Sequence, residues 1–514
     1  MAPARIERCA VTAFVGFLLV AMMTARPYNH DDELYVTAGV LARHLILYKD
    51  FVYNQPPFYP LFLAVIFRGL ASYYYLAARI TSFVLAIAGA RLMYVIACRT
   101  TGSPRLALAA PVLFATSTTV QSAGGSARND ILPCVLMLAC AALVLAAPRV
   151  RRRDVGALTM ALAGLLAALA VSCKLVYLFL PAATLLYLLA VRPWPSRATT
   201  AFVAGLLAGA SLDLYYLAIA RDQLLFNLFD FHLTLKSEWY VRNGEGWELE
   251  PLGRLYDAAT SFVRDGVAPP ALVTLGVALA ILWRRGPLPA LRDLTGLVAT
   301  PTGYVALLAA LSLPCAFEPY PSMPQYFVPT FALGSLLTLA AVARLGTPGR
   351  TLRRVLAAAF VAAIFVGTVR AVTYVPRMLS PRSWVAMQIH ADGVAVRDGA
   401  GGKPICVATL SPIRPLDAGL TILPELASGP FLFRSGDLLS AARLDELRAT
   451  SPSRLPELLD RRRPGAILVG FENDFTISVD DHFRDYARSR GFTAASPPAP
   501  EVWYSDGPGV GCVK

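Results

Sequence analysis

Runs of about 20 predominantly apolar residues recur along the first 373 positions, each long enough to cross a lipid bilayer as a helix. Eleven are counted, centred on residues 9–25, 74–98, 106–122, 131–147, 155–172, 175–191, 199–220, 269–283, 296–314, 327–343 and 355–373. Nothing else in the chain limits its fold so strongly. A segment inside lipid must satisfy its backbone polar groups internally, so these runs are expected to be helices packed on helices. Composition agrees: 56% of the 514 residues are hydrophobic and 16% charged, against about a quarter charged in soluble domains. Disorder and collagen-like architecture are excluded by the same figures, and eight cysteines are too sparse for a disulfide scaffold. The apolar stretch 58–70 is shorter and follows a proline pair, so it reads as an interfacial helix.

The net charge of +13 reports orientation. Alternate connections hold Arg5 and Arg8; Arg99 and Arg105; Arg149, Arg151, Arg152 and Arg153; Arg192 and Arg197; Arg284, Arg285 and Arg292; and Arg344, Arg350, Arg353 and Arg354. These 17 arginines stand among few acids, such as Asp154 and Asp293, whereas connections 26–57, 124–130, 221–268 and 315–326 are mixed in sign. The positive-inside bias then places the N-terminus in the cytoplasm and everything after about residue 374 outside. It also removes the case for nucleic-acid binding. The first run has the basic flank and length of a cleaved signal peptide as well, but Met23 and Ala25 make a poor cleavage site.

Residues 374–514 change character. Stretches 404–409 and 466–471 look like short buried strands, residues 478–481 (Ser-Val-Asp-Asp) have capping-box spacing, and Gly491 sits where a helix C-terminal glycine would. The expectation is a small external α/β domain following a transmembrane domain over residues 1–373. Cys406 and Cys512 lie in a compartment where disulfides persist; pairing and two free buried thiols remain equal alternatives.

The external loops carry the chemistry. Residues 28–35 read Tyr-Asn-His-Asp-Asp-Glu-Leu-Tyr, and residues 48–60 read Tyr-Lys-Asp-Phe-Val-Tyr-Asn-Gln-Pro-Pro-Phe-Tyr-Pro. Three consecutive carboxylates, Asp31, Asp32 and Glu33, repel one another beside a membrane, and partial burial would raise one of them toward the range of a general base. A solvated acidic cap on the following helix is the alternative. Lys174, one of only five lysines, falls in an external turn between apolar runs, where it either snorkels or meets an anion at membrane level. Residues 124–130 end in Arg128-Asn129-Asp130 at the external start of a helix, where Asn129 or Asp130 would also serve as a plain cap. His232 and Tyr326 close two external aromatic segments, 226–232 and 318–326, suited to sugar stacking or to interfacial anchoring. Asp213 is an acid within an apolar run and so a functional candidate by default.

The Asp-Asp-Glu with a tyrosine just after it, then Tyr-x-Asp-Phe-x-Tyr and Pro-Pro about 20 residues on, all in the first external loop, resembles the GT-C superfamily of polytopic glycosyltransferases. The match is to the branch similar to dolichyl-phosphate-mannose protein mannosyltransferases and lipid A aminoarabinose transferases. The resemblance implies a GT-C fold and an enzyme of the bacterial inner membrane. Its reaction would be transfer of a sugar from a polyprenyl-phosphate carrier to an acceptor on the periplasmic side. It implies that Asp31 and Asp32, with Glu33 in reserve, are the catalytic acids, and that Lys174, Arg128, Asp130, Tyr35, Tyr48, His232 and Tyr326 bind substrate. Aminoarabinose transferases carry Glu-Lys directly before the proline where this chain has Asn54-Gln55, a departure that removes one cation for the carrier phosphate. No HExxH, CxxC or phosphate-loop motif is present, and no cofactor is expected. A transporter or flippase of lipid-linked sugars, or an inactive relative acting as an assembly partner, are the competing readings.

Overall fold

The structure, a computed structural model, describes residues 2–146, 153–191, 196–284, 298–346, 349–472, 478–495, 500–505 and 512–513. Arg149, Arg151, Arg152, Arg192, Arg285, Arg292 and Asp293 lie outside the described residues. Within the described residues the apolar runs are helical, the 106–122 run being divided over Pro104–Ala107, Ala109–Thr116 and Thr118–Gly124 and the 175–191 run over Leu175–Leu178 and Phe179–Val191. Among the described residues six helices are long and apolar enough to cross a membrane, and two further helix pairs pass the same test together while bent at a short break. The pairs are Pro104–Thr116 with Thr118–Gly124, bent by 69°, and Pro251–Arg264 with Ala268–Arg284, bent by 89°. One residue sits at both bends: Asp265 accepts from the Ser117 hydroxyl at 2.7 Å and from the backbone N–H of Thr119 (3.0 Å), Val267 (3.0 Å) and Ala268 (3.1 Å). It thereby satisfies helix-start donors that the breaks would leave open.

Between membrane helices, close packing supplies the association that the hydrophobic effect does not. Helices Arg153–Cys173 and Arg197–Ile219 meet through Gly164 and Gly205, where an added Cβ would run into the carbonyls of Phe202 and Ala161. Gly205→Val should therefore lower the melting temperature of the detergent-solubilised protein, overpacking costing about 1–3 kcal/mol. Gly16→Val, on an open face of its helix, should leave it unchanged.

The segment between the first two long apolar helices, α1 (Ala2–Ala25) and α4 (Tyr74–Thr101), folds as α2 (His30–Leu41) and α3 (Phe58–Phe67). Asn29 caps α2, its side chain accepting from the Asp31 N–H at 2.8 Å, and the three acids occupy the first turn, where the helix dipole favours them. The short helix α3, expected at the interface, packs on α2 with Gly39 against Leu63. Arg79 of α4 is fully buried and donates to the carbonyls of Met23 and Arg26, both at 2.8 Å, closing the C-terminal end of α1.

The C-terminal part carries a five-stranded sheet: β1 Cys406–Ala408, β2 Thr421–Ile422, β3 Ala466–Leu468, β4 Thr493–Ala494 and β5 Val502–Tyr504, in the order β2-β1-β3-β5-β4. The pairs β1–β2 and β1–β3 are parallel; β5 runs antiparallel to β3 and β4. Strands β1 and β3 fall inside the two stretches expected from sequence. Cys406 and Cys512 are disulfide-bonded. Gly491 takes a positive φ of 71° after helix Asp481–Ser489, as its position suggested. At the expected capping box the Asp481 N–H bonds the Ser478 carbonyl, and Asp480 between them accepts the backbone N–H of Gly470 (2.8 Å), Phe471 (3.2 Å) and Glu472 (3.2 Å), tying that loop to the start of the helix.

This part docks directly on the first-loop helices. Asp417 takes the Tyr75 N–H at 2.8 Å and the His390 Nδ1 at 2.9 Å, while the Tyr73 and His390 rings stack at 3.8 Å. The Ser411 hydroxyl donates to Glu33 of α2.

Candidate active site

The first turn of a helix turns by about 100° per residue, so three consecutive acids cannot share a face. Only Asp31 meets the other candidate residues. Its carboxylate is 2.7 Å from Arg128 Nη1, with 23% of the side chain still exposed. Asp32 points inward, accepting the Tyr75 hydroxyl at 2.6 Å. Glu33 faces the C-terminal part, where Ser411 binds it. Burial is the largest influence on the Asp31 carboxyl and would raise it, but Arg128, His30 and Lys174 together outweigh it and hold Asp31 below the usual carboxylate range. For Asp32 and Glu33 burial wins, over Arg26 and Arg79 in one case and Arg414 and Ser411 in the other, and both are raised. Of the three acids, Asp31 is the one whose surroundings favour the ionised form.

Behind it lies a buried chain of charge. Arg128 Nε donates to Asp130 at 2.9 Å, and the other oxygen of Asp130 is taken by Lys174 Nζ. Side-chain exposures of 7%, 2% and 6% show all three to be desolvated. Neither local alternative describes them: both Asp130 oxygens go to cations, and Lys174 is buried and paired where snorkelling would leave it wet. Two cations flanking one carboxylate leave the array with an excess of positive charge, which Asp31 balances on one side. Lys174 also lies over the Tyr326 ring, 4.9 Å from its centroid.

On the Lys174 side opens a cavity of about 350 Å³. Its apolar wall includes Leu175, Val176, Leu228 and Phe229; its polar groups include Asn54, Gln55, His232 and Lys236. His232, in the π-helical stretch Phe226–Leu235, donates from Nε2 to the Asn54 carbonyl at 2.7 Å. Burial and nearby Lys236 lower His232 to about 4, so it stays neutral and acts as a hydrogen-bonding brace. Tyr48 braces the same turn from below, its hydroxyl donating to the Gln55 carbonyl at 2.7 Å, and does not reach the charged array. Tyr35 is buried edge-on against Tyr53 and Tyr59, at 6.4 and 5.6 Å between centroids. Asp213 accepts from Ser172 at 3.1 Å.

Sequence reasoning missed Lys236. It shares a cavity with Asn54 and Gln55, where the expected cation is missing, and donates to the Tyr320 carbonyl at 3.0 Å. The signal was available: with five lysines in 514 residues, one directly beyond an external aromatic segment stood out. Among the described residues no three His, Cys, Asp or Glu converge as a metal site.

The chain, a helical part with two short helices after its first apolar run and a C-terminal part carrying a five-stranded sheet, shares its fold with solved structures. In particular, it is similar to ArnT from Cupriavidus metallidurans. The undecaprenyl-phosphate-bound crystal structure superimposes with a TM-score of 0.59 at 14% identity, and the apo structure with 0.55 at 13%, each over 96% of both chains. The Archaeoglobus fulgidus oligosaccharyltransferase tethered with an acceptor peptide aligns more loosely, with a TM-score of 0.48 at 11% identity over 97% of this chain and 74% of that one. At such identities the likeness is one of fold. No protein-family model matches the sequence, nor does any curated protein.

Proposed function

We propose that this chain is a membrane glycosyltransferase that moves a sugar from a polyprenyl-phosphate carrier to an acceptor on the periplasmic side of the bacterial inner membrane, with inversion. The observation that carries the reading is the array Asp31–Arg128–Asp130–Lys174, with an ionised carboxylate at one end and a cation facing an amphipathic cavity at the other. Eleven crossings, a cytoplasmic N-terminus and an external domain over residues 374–514 complete the assignment.

In this reading the carrier lies along the apolar wall of the 350 Å³ cavity with its phosphate toward Lys174 and Lys236. Asp31 orients the acceptor hydroxyl and takes its proton as the new bond to the anomeric carbon forms. The bond from that carbon to the phosphate oxygen breaks, and the carrier leaves as an anion, so the second requirement is positive charge rather than a strong acid. Attack opposite the leaving group gives inversion.

The rival with a structural observation in its favour is a flippase, since two spans are broken, as transporter helices often are. One assay separates them. The purified protein incubated with an undecaprenyl-phosphate sugar should release free undecaprenyl phosphate once acceptor is supplied; a flippase moves the intact lipid and releases none. The pH profile adds a signature. Burial and Arg434 lower Lys236 to about 8, against the pull of Asp31 and Glu248, so it is cationic below that pH and neutral above. The KM for donor should therefore rise as pH passes 8, and Lys236→Met should flatten that rise.

A further inference from the structure

Far along the helices from the charged array lies an apolar crevice of about 310 Å³. Leu113, Ala271, Leu339 and Phe360 line it, one each from helices Ala109–Thr116, Ala268–Arg284, Val328–Arg344 and Arg350–Thr373. Its two threonines have nothing to offer a polar ligand. Thr274 donates to the Pro270 carbonyl at 2.7 Å, and Thr338 to the carbonyls of Gly334 at 2.9 Å and Ala271 at 3.2 Å. A space with such walls does not hold water. Exposed Ala357 also lines it, so the crevice opens sideways out of the helical bundle.

Its depth matches one leaflet. From Leu356 to Ala363, both in the lining, a helix rises roughly 10 Å, most of the ~15 Å of hydrocarbon in half a bilayer. An acyl chain fits such a slot. The rim then selects among lipids. Arg105 lines the crevice with 79% of its side chain exposed. Gly367 packs on the Thr116 carbonyl, so helices Ala109–Thr116 and Arg350–Thr373 run side by side, and Arg105 shares an end with Arg353. Arg353 is exposed and stands one turn before Leu356 and Ala357, on the same helix face. Glu7 approaches Arg105 only to 3.9 Å and is itself 44% exposed. A pair of that kind is screened by water and leaves the guanidinium able to take a second partner.

We propose that this crevice is a binding site for an anionic phospholipid, with one acyl chain lying between the four helices and the phosphate on Arg105 at the rim. An arginine fork matches a phosphate in bidentate geometry, and a basic rim over an apolar slot is complementary to an anionic lipid at both ends. The site shares no residue with the Asp31–Lys174 array or its cavity, so it holds whether or not the chain transfers sugar.

The test uses the full-length protein in mixed micelles with a phosphatidylglycerol that carries a diazirine in one acyl chain. After photolysis the labelled residues are located by peptide mass spectrometry. Label should appear within residues 106–113 and 356–363, and unlabelled phosphatidylglycerol should compete for it better than phosphatidylcholine of the same chains. Arg105→Gln, at an exposed position that keeps the fold, should reduce that label about fivefold, the scale of one arginine near an anionic headgroup. It should also abolish the preference over phosphatidylcholine, and Arg105→Lys should recover part of both. Ala359→Phe, which fills the crevice, should remove the label there. Should that variant lose stability, Arg105→Gln alone decides. The proposal is overturned if these residues stay unlabelled, if phosphatidylcholine competes equally, or if Arg105→Gln labels as wild type does.

Discussion

Asp31→Asn should reduce sugar transfer by about 10²–10⁴-fold, the range that removal of a positioned proton acceptor costs. The protein should remain inserted and folded. Asparagine is nearly isosteric, the Asn29 cap binds the backbone N–H of residue 31 and not its side chain, and Arg128 keeps Asp130 as a partner. Donor affinity should hardly move, because the carrier phosphate is assigned to the far end of the array. Asp32→Asn keeps an acceptor for Tyr75, and Glu33→Gln keeps one for Ser411, so each should stay within about tenfold of wild type, the scale of one net hydrogen bond. Measuring release of undecaprenyl phosphate for all three variants decides the matter. Full activity in Asp31→Asn, or equal losses in all three, would remove the assignment.

Asp130→Ala should be the most destabilising single change in the site. It leaves Arg128 and Lys174 buried side by side with their shared counter-ion gone. Breaking a buried pair from one side costs about 3–5 kcal/mol; Arg128 keeps Asp31, and Lys174 is left as a buried cation whose carboxylate is gone. The expected outcome is a large fall in the melting temperature of the solubilised protein together with loss of transfer. Adding Lys174→Met should restore much of the stability, since one stranded charge is removed, while activity stays absent. A purely additive double variant would show that the two residues do not act as a pair.

How far these roles could be read in the sequence follows from what fixes each residue. Apolar runs were visible because lipid imposes length and composition on every span, and the strands at Cys406–Ala408 and Ala466–Leu468 because short β-rich stretches stood out in a polar tail. The external loops disclosed which residue types carry charge but not which of them meet. Lys174 and Asp130 are 44 positions apart, and Glu33 finds Ser411 across 378. No local pattern encodes such pairings. The order of the three acids illustrates the limit: the resemblance put Asp31 and Asp32 forward together with Glu33 in reserve, and only the helical turn starting at Asn29 sends the three to different neighbourhoods. Asp480 shows the same limit, its oxygens holding the backbone of residues 470–472, a loop near in space that no local spacing announced.

The first turn of α2 couples parts of the molecule that could otherwise have evolved separately. Asp31 meets Arg128, the contact on which its proposed role rests, Asp32 locks the start of α4 through Tyr75, and Glu33 fastens the C-terminal part through Ser411. One rotation of one helix would disturb all three. A hybrid that exchanged residues 374–514 for those of a distant relative would therefore have to reproduce the Ser411 and Asp417 contacts to keep Asp31 in register. The two parts are exchangeable only as a matched set, and variation in either should be constrained by the other at this one turn.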